Sequence, residues 1–289
     1  MKYDVELLRI ISAFGIIWFH SGYQFGRDIA YAGLVVFLIL SAYFATKSNK
    51  AHSVRDRGLR LLLPCIFWSA IYAAFSIIRG KNIFPNDYSV LSSLLSTPTI
   101  HLWYLPFVFF CTIAIDLIRK QIHPIALAVV ATMIASTLLL SSPLWRQWSF
   151  ISPFGQYMHA APAIFIGIVY GLSKQLSSML RYLLLSLVTI SAIFAFQLNI
   201  KGVGVTYLIG IIVTFLLLRE KSVLPKNNVV LELSRLTFGI YLIHPIILFI
   251  LRHIGVGSLN LVIICFSASA TCIYVSLRIV PKQISKYVM

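Results

Sequence analysis

The sequence predicts an all-α integral membrane protein, a bundle of about ten transmembrane helices with both termini in the cytoplasm. Its 289 residues are 59% hydrophobic and only 11% charged, with a mean hydropathy of +0.90. Soluble domains carry roughly 25% charged residues, so this chain has too few charges to cover a water-facing surface. Apolar runs long enough to cross a bilayer predict the spans. Basic residues concentrated in alternate connections predict the orientation.

Ten apolar runs are long enough to cross a membrane as helices, since a span needs about 20 mainly apolar residues. They lie near residues 5–23, 29–46, 59–78, 101–118, 124–140, 156–173, 182–198, 203–218, 236–254 and 259–279. None of the connections between them is long enough for a soluble domain. Residues 1–289 are therefore predicted to form a single integral membrane domain.

Basic residues divide the connections into two alternating sets. The richer set contains Lys47, Lys50, Arg55, Arg57, Arg60, Arg119, Lys120, Lys174, Arg181, Arg219, Lys221, Lys226 and Arg235, and the carboxyl tail adds Arg278, Lys282 and Lys286. The opposite set contains Arg27, Arg79, Lys81, Arg146, Lys201 and Arg252. The positive-inside rule places the richer set and both termini in the cytoplasm. It also accounts for the net charge of +16, so no nucleic-acid partner is expected.

Metal chemistry is not expected. The chain has eight acidic residues and no HxxxH or HxxE pattern that would bring ligands together on one helical face. Its four cysteines all fall inside apolar runs, and none belongs to a CxxC motif. We interpret them as small buried hydrophobic residues.

The segment RIISAFGIIWFH, residues 9–20, places two polar side chains in the first predicted span. Eleven helical steps bring His20 to within about 20° of Arg9 and about 16 Å along the axis, so the two share one face. A charged group inside a span usually faces a protein interior or a water-filled cavity. Glu6, three residues before Arg9, can form an ion pair with it on the same face. The pair Arg9 and His20 is therefore the first candidate site.

Two further histidines lie in predicted spans beside aromatic residues. His101 stands in HLWYL with Trp103 and Tyr104, and His244 stands in FGIYLIHP one turn after Tyr241. With His20 they give three imidazoles that could surround one cavity. The alternative for each is a structural histidine that forms a hydrogen bond with a neighbouring helix.

Three arginines, Arg55, Arg57 and Arg60, precede Pro64 in the segment RDRGLRLLLP. One interpretation is contact with anionic lipid headgroups at the cytoplasmic surface. The other is that their planar guanidinium groups bind the phosphates of a cytosolic cofactor. Lysine would satisfy the topology rule equally well, so the use of arginine favours phosphate binding.

Taken together, these residues resemble the membrane acyltransferase-3 family. Five elements carry the resemblance in the expected order: ELLR at 6–9 followed by His20, FLILSAY at 37–43, RDRGLR at 55–60, HLWYL at 101–105 and YLIHP at 241–245. Ala42 replaces a glycine that is usual in the second element.

The resemblance implies an enzyme of the bacterial cytoplasmic (inner) membrane that transfers an acyl group, commonly acetyl. The donor would be cytosolic acetyl-CoA, and the acceptor a hydroxyl of an extracytoplasmic or lipid-linked polysaccharide. An acceptor hydroxyl needs a base and the thioester oxyanion needs positive charge. His20 is accordingly expected to be the base, and Arg9 to orient the donor or to stabilise the thioester region.

The remaining candidates are assigned to the two substrates. Arg55, Arg57 and Arg60 are expected to hold the CoA phosphates. His101, Trp103, Tyr104 and His244 are expected to stack on the acceptor or to relay a proton. Tyr241 is a further candidate for contact with the acceptor, with helix packing as the alternative. Direct attack by the acceptor and a route through acylated His20 both fit these residues. The alternative function is a transporter or flippase of a glycan or of a small acylated compound, for which ten helices and a polar cavity would also serve.

Overall fold

A computed structural model describes most of the chain. The described residues are 3–48, 53–84, 88–96, 98–99, 101–148, 150–219, 222, 225 and 227–281. Both termini lie outside them, as do Lys50, Lys221, Lys226, Lys282 and Lys286 of the predicted cytoplasmic set. All residues predicted to form the site lie within them.

The described part of the chain consists of helices and their connections, with no strand. The α-helices are α1 Tyr3–His20, α2 Arg27–Lys47, α3 Val54–Ile78, α4 Val90–Ser96, α5 Tyr104–Gln121, α6 Pro124–Leu140, α7 Ser142–Trp145, α8 Phe154–Leu172, α9 Ser178–Gln197, α10 Gly204–Thr214, α11 Asn228–His253 and α12 Ser258–Ile279. Short 3₁₀ turns, Ser173–Gln175 and Phe215–Leu218, follow α8 and α10. The predicted all-α class is confirmed.

Each of the ten apolar runs coincides with a helix or with a helix and its 3₁₀ extension. Five helices, α2, α3, α9, α11 and α12, are long and apolar enough to cross a membrane, and α6 and α10 with its extension are shorter apolar helices. Large apolar side chains such as Ile66 and Ile78 are exposed along α3. A surface of this kind suits contact with lipid chains, so the chain is an integral membrane protein.

One boundary differs from the sequence prediction in a way that matters for the site. The sequence predicts that the fourth span begins at residue 101, whereas α5 begins at Tyr104 and residues 101–103 form a turn before it. Pro106 lies in the first turn of α5, where a missing backbone N–H removes no helical hydrogen bond. His101 and Trp103 are therefore held by a turn at the helix start.

The described residues divide into two compact units. Unit 1 comprises 3–40 and 189–281, and unit 2 comprises 41–188. In unit 1, α1 packs on α11, and α11 packs on α12. Ile17, Ile240 and Val262, each fully buried, lie in the hydrophobic core that these three helices share. In unit 2, α3 packs on α5 and α6 packs on α8.

Glycines bring α1 close to the first part of α2 in unit 1. A Cβ atom added to Gly15 would lie 2.6 Å from the backbone oxygen of Ala30, and one added to Gly33 would lie 2.5 Å from that of Ser12. Small residues of this kind let membrane helices approach at backbone distance. The contact fixes α1, which carries Arg9 and ends at His20.

Candidate active site

The imidazoles of His20 and His244 lie side by side in unit 1. Their ring centroids are 5.4 Å apart and the rings are inclined by 41°. His20 is the last residue of α1 and is half-buried, whereas His244 lies in the interior of α11 and is fully buried. The two imidazoles are therefore direct neighbours within unit 1.

The helix that carries His244 also determines which of its nitrogens holds a proton. The carbonyl of Tyr241 would ordinarily accept the backbone N–H four residues later, but that residue is Pro245, which has none. Nδ1 of His244 lies 2.8 Å from this carbonyl oxygen. Because a carbonyl can only accept, Nδ1 carries the proton, and in the neutral ring Nε2 is then an acceptor.

Arg9 lies about two turns into α1 and is held by an acidic partner. Its Nη1 is 3.4 Å from Oε2 of Glu6, and the side chain remains 42% exposed. The hydroxyl of Ser234 on α11 donates a hydrogen bond to the same Glu6 oxygen. The predicted pairing of Glu6 with Arg9 is thus present. About 16 Å of helix separates Arg9 from His20, so these two side chains do not touch.

The three arginines of α3 point in different directions. Arg55 and Arg60 are exposed, whereas Arg57 is buried and its Nη2 donates to Oδ2 of Asp116 on α5. The other Asp116 oxygen lies 3.0 Å from Nε of Arg119. Two guanidinium groups therefore share one carboxylate. Nη1 of Arg57 is buried and has no hydrogen-bond partner among the residues that the structure describes.

The aromatic candidates of the HLWYL segment belong to unit 2. His101 is buried with its ring 5.1 Å from that of Tyr72, in an edge-on arrangement. Trp103 is buried against Tyr157, with ring centroids 5.9 Å apart. The hydroxyl of Tyr104 lies 3.0 Å from that of Ser41.

The structure thus brings together one part of the predicted site. His20, Tyr241 and His244 form a cluster in unit 1, where the ring centroids of Tyr241 and His244 are 6.1 Å apart. Across the described residues, no group of three or more His, Cys, Asp or Glu side chains is arranged to hold a metal ion.

A family model for an acyltransferase domain, that of the acyltransferase-3 family, matches residues 2–278, nearly the whole chain. The chain belongs to the acyltransferase-3 family. No curated protein and no solved structure matches it. Membership makes the chain an acyltransferase, an enzyme that takes an acyl donor and an acceptor.

In this acyltransferase, two arginines that the sequence interpretation assigned only to loops lie around His20. Nη2 of Arg252 donates a hydrogen bond of 2.9 Å to the backbone carbonyl of His20. That carbonyl ends α1 and so lacks a partner within the helix. The guanidinium of Arg27 lies 4.7 Å from the ring centroid of Phe19, whose ring is 5.3 Å from that of His20. Nε of Arg27 is buried without a hydrogen-bond acceptor in the described part of the chain.

A signal for these arginines was present in the sequence. Arg27 and Arg252 belong to the six basic residues of the set predicted to face outward. The positive-inside rule gives no reason for arginine on that side of a membrane. Each such residue is therefore a candidate for a specific role, and two of the six lie close to His20, one at its backbone carbonyl and one at the neighbouring Phe19 ring.

Proposed function

We propose that this acyltransferase moves an acetyl group from cytosolic acetyl-CoA to a hydroxyl of an extracytoplasmic or lipid-linked glycan. One observation carries the proposal: His20 lies beside a second imidazole, His244, whose tautomer is fixed by its own helix. A candidate base with a second polar ring beside it that can orient it is an arrangement that suits hydroxyl activation.

His20 acts as the general base in this proposal. Its unprotonated nitrogen takes the proton of the acceptor hydroxyl as the hydroxyl oxygen attacks the thioester carbonyl. The tetrahedral intermediate then collapses, the carbon–sulfur bond breaks, and the CoA thiolate takes the proton from His20. General base catalysis of this kind contributes a factor of about 10²–10⁴ in rate.

His244 holds His20 in position for that step. In the reacting enzyme we expect Nε2 of His244 to accept a hydrogen bond from the protonated nitrogen of His20, so that the other His20 nitrogen presents its lone pair to the acceptor. When His20 takes up a proton, the same hydrogen bond stabilises the imidazolium ion. Support for this role comes from the 2.8 Å contact between Nδ1 of His244 and the Tyr241 carbonyl.

Arg27 supplies positive charge to the oxyanion of the tetrahedral intermediate. Its guanidinium lies against Phe19, next to His20, and its Nε has no acceptor among the described residues. A preorganised donor for a developing oxyanion is often the largest single contribution to acyl transfer. Arg252 has a structural role. It donates a hydrogen bond to the backbone carbonyl of His20 and so fixes the end of α1.

The donor is bound by arginines. Arg55, Arg57 and Arg60 hold the CoA phosphates, and Arg9 orients the thioester arm. Arg55 and Arg60 are accessible on α3, and Nη1 of buried Arg57 has a donor to offer. Arginine suits this task because its planar group can form two parallel hydrogen bonds with a phosphate.

The acceptor is bound by aromatic side chains. The candidates are His101, Trp103, Tyr104 and Tyr241, which offer ring faces and hydroxyl or imidazole groups. Stacking on an aromatic face together with a few hydrogen bonds is a common way to hold a polar ligand that has an apolar face. The arrangement of Trp103 against Tyr157 gives unit 2 an aromatic wall of this type.

In the membrane, we propose ten spans with both termini in the cytoplasm, in a bacterial inner membrane. The ten helices that coincide with the apolar runs and the asymmetry of basic residues support this arrangement. It lets the arginines of α3 face cytosolic CoA.

A comparison of polysaccharides tests the proposed function. Surface and lipid-linked polysaccharides are isolated from cells that carry the gene, lack it, or carry the His20→Gln variant, and their acetyl content is measured by mass spectrometry. The proposal expects acetylated sugar units only in cells with the wild-type gene. Equal acetylation in all three would contradict it, and a change in the amount of exported glycan without a change in acetylation would favour the transporter function.

A further inference from the structure

A cavity of about 410 Å³ opens in unit 2 at the ends of α2, α5 and α8. Its polar lining comes from Thr46, Arg119, Lys120 and Gln175, and the rest of its wall is apolar. We call it the basic cavity. The basic-residue asymmetry predicts that this end of unit 2 faces the cytoplasm. A volume of this size lies within the range of small-molecule sites.

The guanidinium of Arg119 is fixed at the wall of the basic cavity. Its Nε lies 3.0 Å from Asp116, and its Nη1 donates to the carbonyls of Thr46, at 3.2 Å, and of Ser48. These contacts use Nε and Nη1, so the two N–H groups of Nη2 are the donors that remain for a ligand. The group is thus rigid and still able to bind a ligand.

Thr46 gives a second, independent sign of a ligand. The residue is only 4% exposed, and its Oγ1 is buried without a hydrogen-bond partner in the described part of the chain. A buried hydroxyl without a partner costs free energy. Because Thr46 lines the basic cavity, a ligand oxygen bound there would remove that cost.

The charge around the cavity favours an anion. Arg57, Arg119 and Lys120 are three cations, and Asp116 is the carboxylate that the two arginines share. Lys120 lines the cavity and is exposed. A positive surplus, a fixed guanidinium, an amine, a hydroxyl and the Gln175 amide all suit a group with several acceptor oxygens.

We propose that the basic cavity binds a phosphate group through Arg119, Lys120 and Thr46. Two kinds of molecule present such a group at this side of the membrane, the phosphates of the acyl donor and the headgroup of a phospholipid. The assignment to the acyl donor rests on the proposed function. The phosphate site itself does not, because it follows from the donors that line the cavity.

Binding measurements without transfer test the site. The purified full chain is titrated with CoA, 3′-dephospho-CoA and pantetheine, which differ in their phosphates, and phosphatidylglycerol retained by the protein is counted by native mass spectrometry. The variants are Lys120→Gln and Thr46→Val, with Arg119→Lys as a change that keeps the charge. Lys174→Gln is the matched control, because Lys174 is exposed next to Gln175 and does not line the cavity.

We expect Lys120→Gln and Arg119→Lys each to lower the affinity for the phosphate-containing ligand by about tenfold. Thr46→Val should lower it by less, and Lys174→Gln should leave it unchanged. If CoA affinity falls and pantetheine affinity does not, the ligand is the donor. If CoA affinity is unchanged and phosphatidylglycerol is lost, the ligand is the lipid. If the folded Lys120→Gln and Thr46→Val variants bind CoA and phosphatidylglycerol as the wild type does, the proposed phosphate site is wrong. Normal binding without transfer would contradict the proposed function alone.

Discussion

The Nδ1–H of His244 donates a hydrogen bond of 2.8 Å to the carbonyl of Tyr241. Pro245 makes this bond possible, because its missing N–H leaves that carbonyl without its usual helical donor. The sequence Tyr-Leu-Ile-His-Pro therefore fixes the tautomer of His244. His244 is left with an acceptor nitrogen, and its ring lies beside His20.

The first prediction separates the two nitrogens of His244. In His244→Gln the side-chain oxygen can take the place of Nε2, whereas in His244→Asn the shorter amide reaches only the place of Nδ1. We expect His244→Asn to lower the transfer rate by about tenfold or more, since a buried hydrogen bond is worth about 1 kcal/mol or more. His244→Gln should retain more activity. Equal transfer rates in the folded His244→Gln and His244→Asn variants would show that Nε2 of His244 has no part in transfer.

Pro245 provides a second measurement of the same relationship. In Pro245→Ala the restored N–H competes with Nδ1 of His244 for the Tyr241 carbonyl. ¹⁵N NMR of histidine-labelled protein should show His244 with a protonated Nδ1 in the wild type and a mixture of tautomers in the variant. A His244 signal with a protonated Nε2 in the wild type would contradict the fixed tautomer.

The second prediction concerns the contact between α1 and α2. Gly15→Ala would place a Cβ 2.6 Å from the backbone oxygen of Ala30, so the helices must separate. We expect a loss of about 1–3 kcal/mol, the usual cost of overpacking, seen as a lower thermal midpoint. Gly58→Ala is the control, because its nearest neighbour would be a side-chain atom of Phe109 at 3.9 Å. An equal midpoint for both variants would exclude the close contact.

The third prediction concerns the donor arginines. Arg57→Ala should weaken acetyl-CoA binding by about 1–3 kcal/mol, the scale of a charge-assisted hydrogen bond. Arg57→Lys should recover only part, because the planar group is lost. Since Arg57→Ala also removes one of the two arginines that share Asp116, the double variant Arg57→Ala with Asp116→Asn controls for the changed charge balance at this buried carboxylate. Unchanged affinity in alanine variants of Arg55, Arg57 and Arg60 would assign these arginines to lipid headgroups.

The fourth prediction concerns topology. The four cysteines are first replaced, and Val54→Cys and Gln147→Cys are then made as separate single-cysteine variants. Both positions are exposed, one at the start of α3 and the other after α7. A membrane-impermeant maleimide added to intact cells should label position 147 and should label position 54 only after permeabilisation. The reverse pattern would invert the orientation.

The sequence was sufficient for the helices and for one face of α1. Apolar runs of spanning length have few alternatives to a helix in lipid, and periodicity alone places Arg9 and His20 on one side. Glu6 could be paired with Arg9 for the same reason, because three residues along a helix are neighbours.

Contacts between distant helices could not be predicted from spacing. His20 and His244 stand far apart in the chain. The hydrophobic periodicity of a helix indicates which of its faces is buried, but it does not indicate which helix packs on that face. The same holds for buried Arg57, whose partner Asp116 lies on α5. Pro245 was visible, but its effect on His244 requires the position of the imidazole relative to the Tyr241 carbonyl.

The most direct test of the central claim compares turnover with donor binding in His20→Ala. If His20 is the base, acyl transfer should fall by a factor of about 10²–10⁴, while acetyl-CoA binding stays close to that of the wild type. Thermal unfolding of the same preparation verifies that the variant is folded. Acylation at the wild-type rate by folded His20→Ala protein would contradict the account, and His101 and His244 would be the next bases to test.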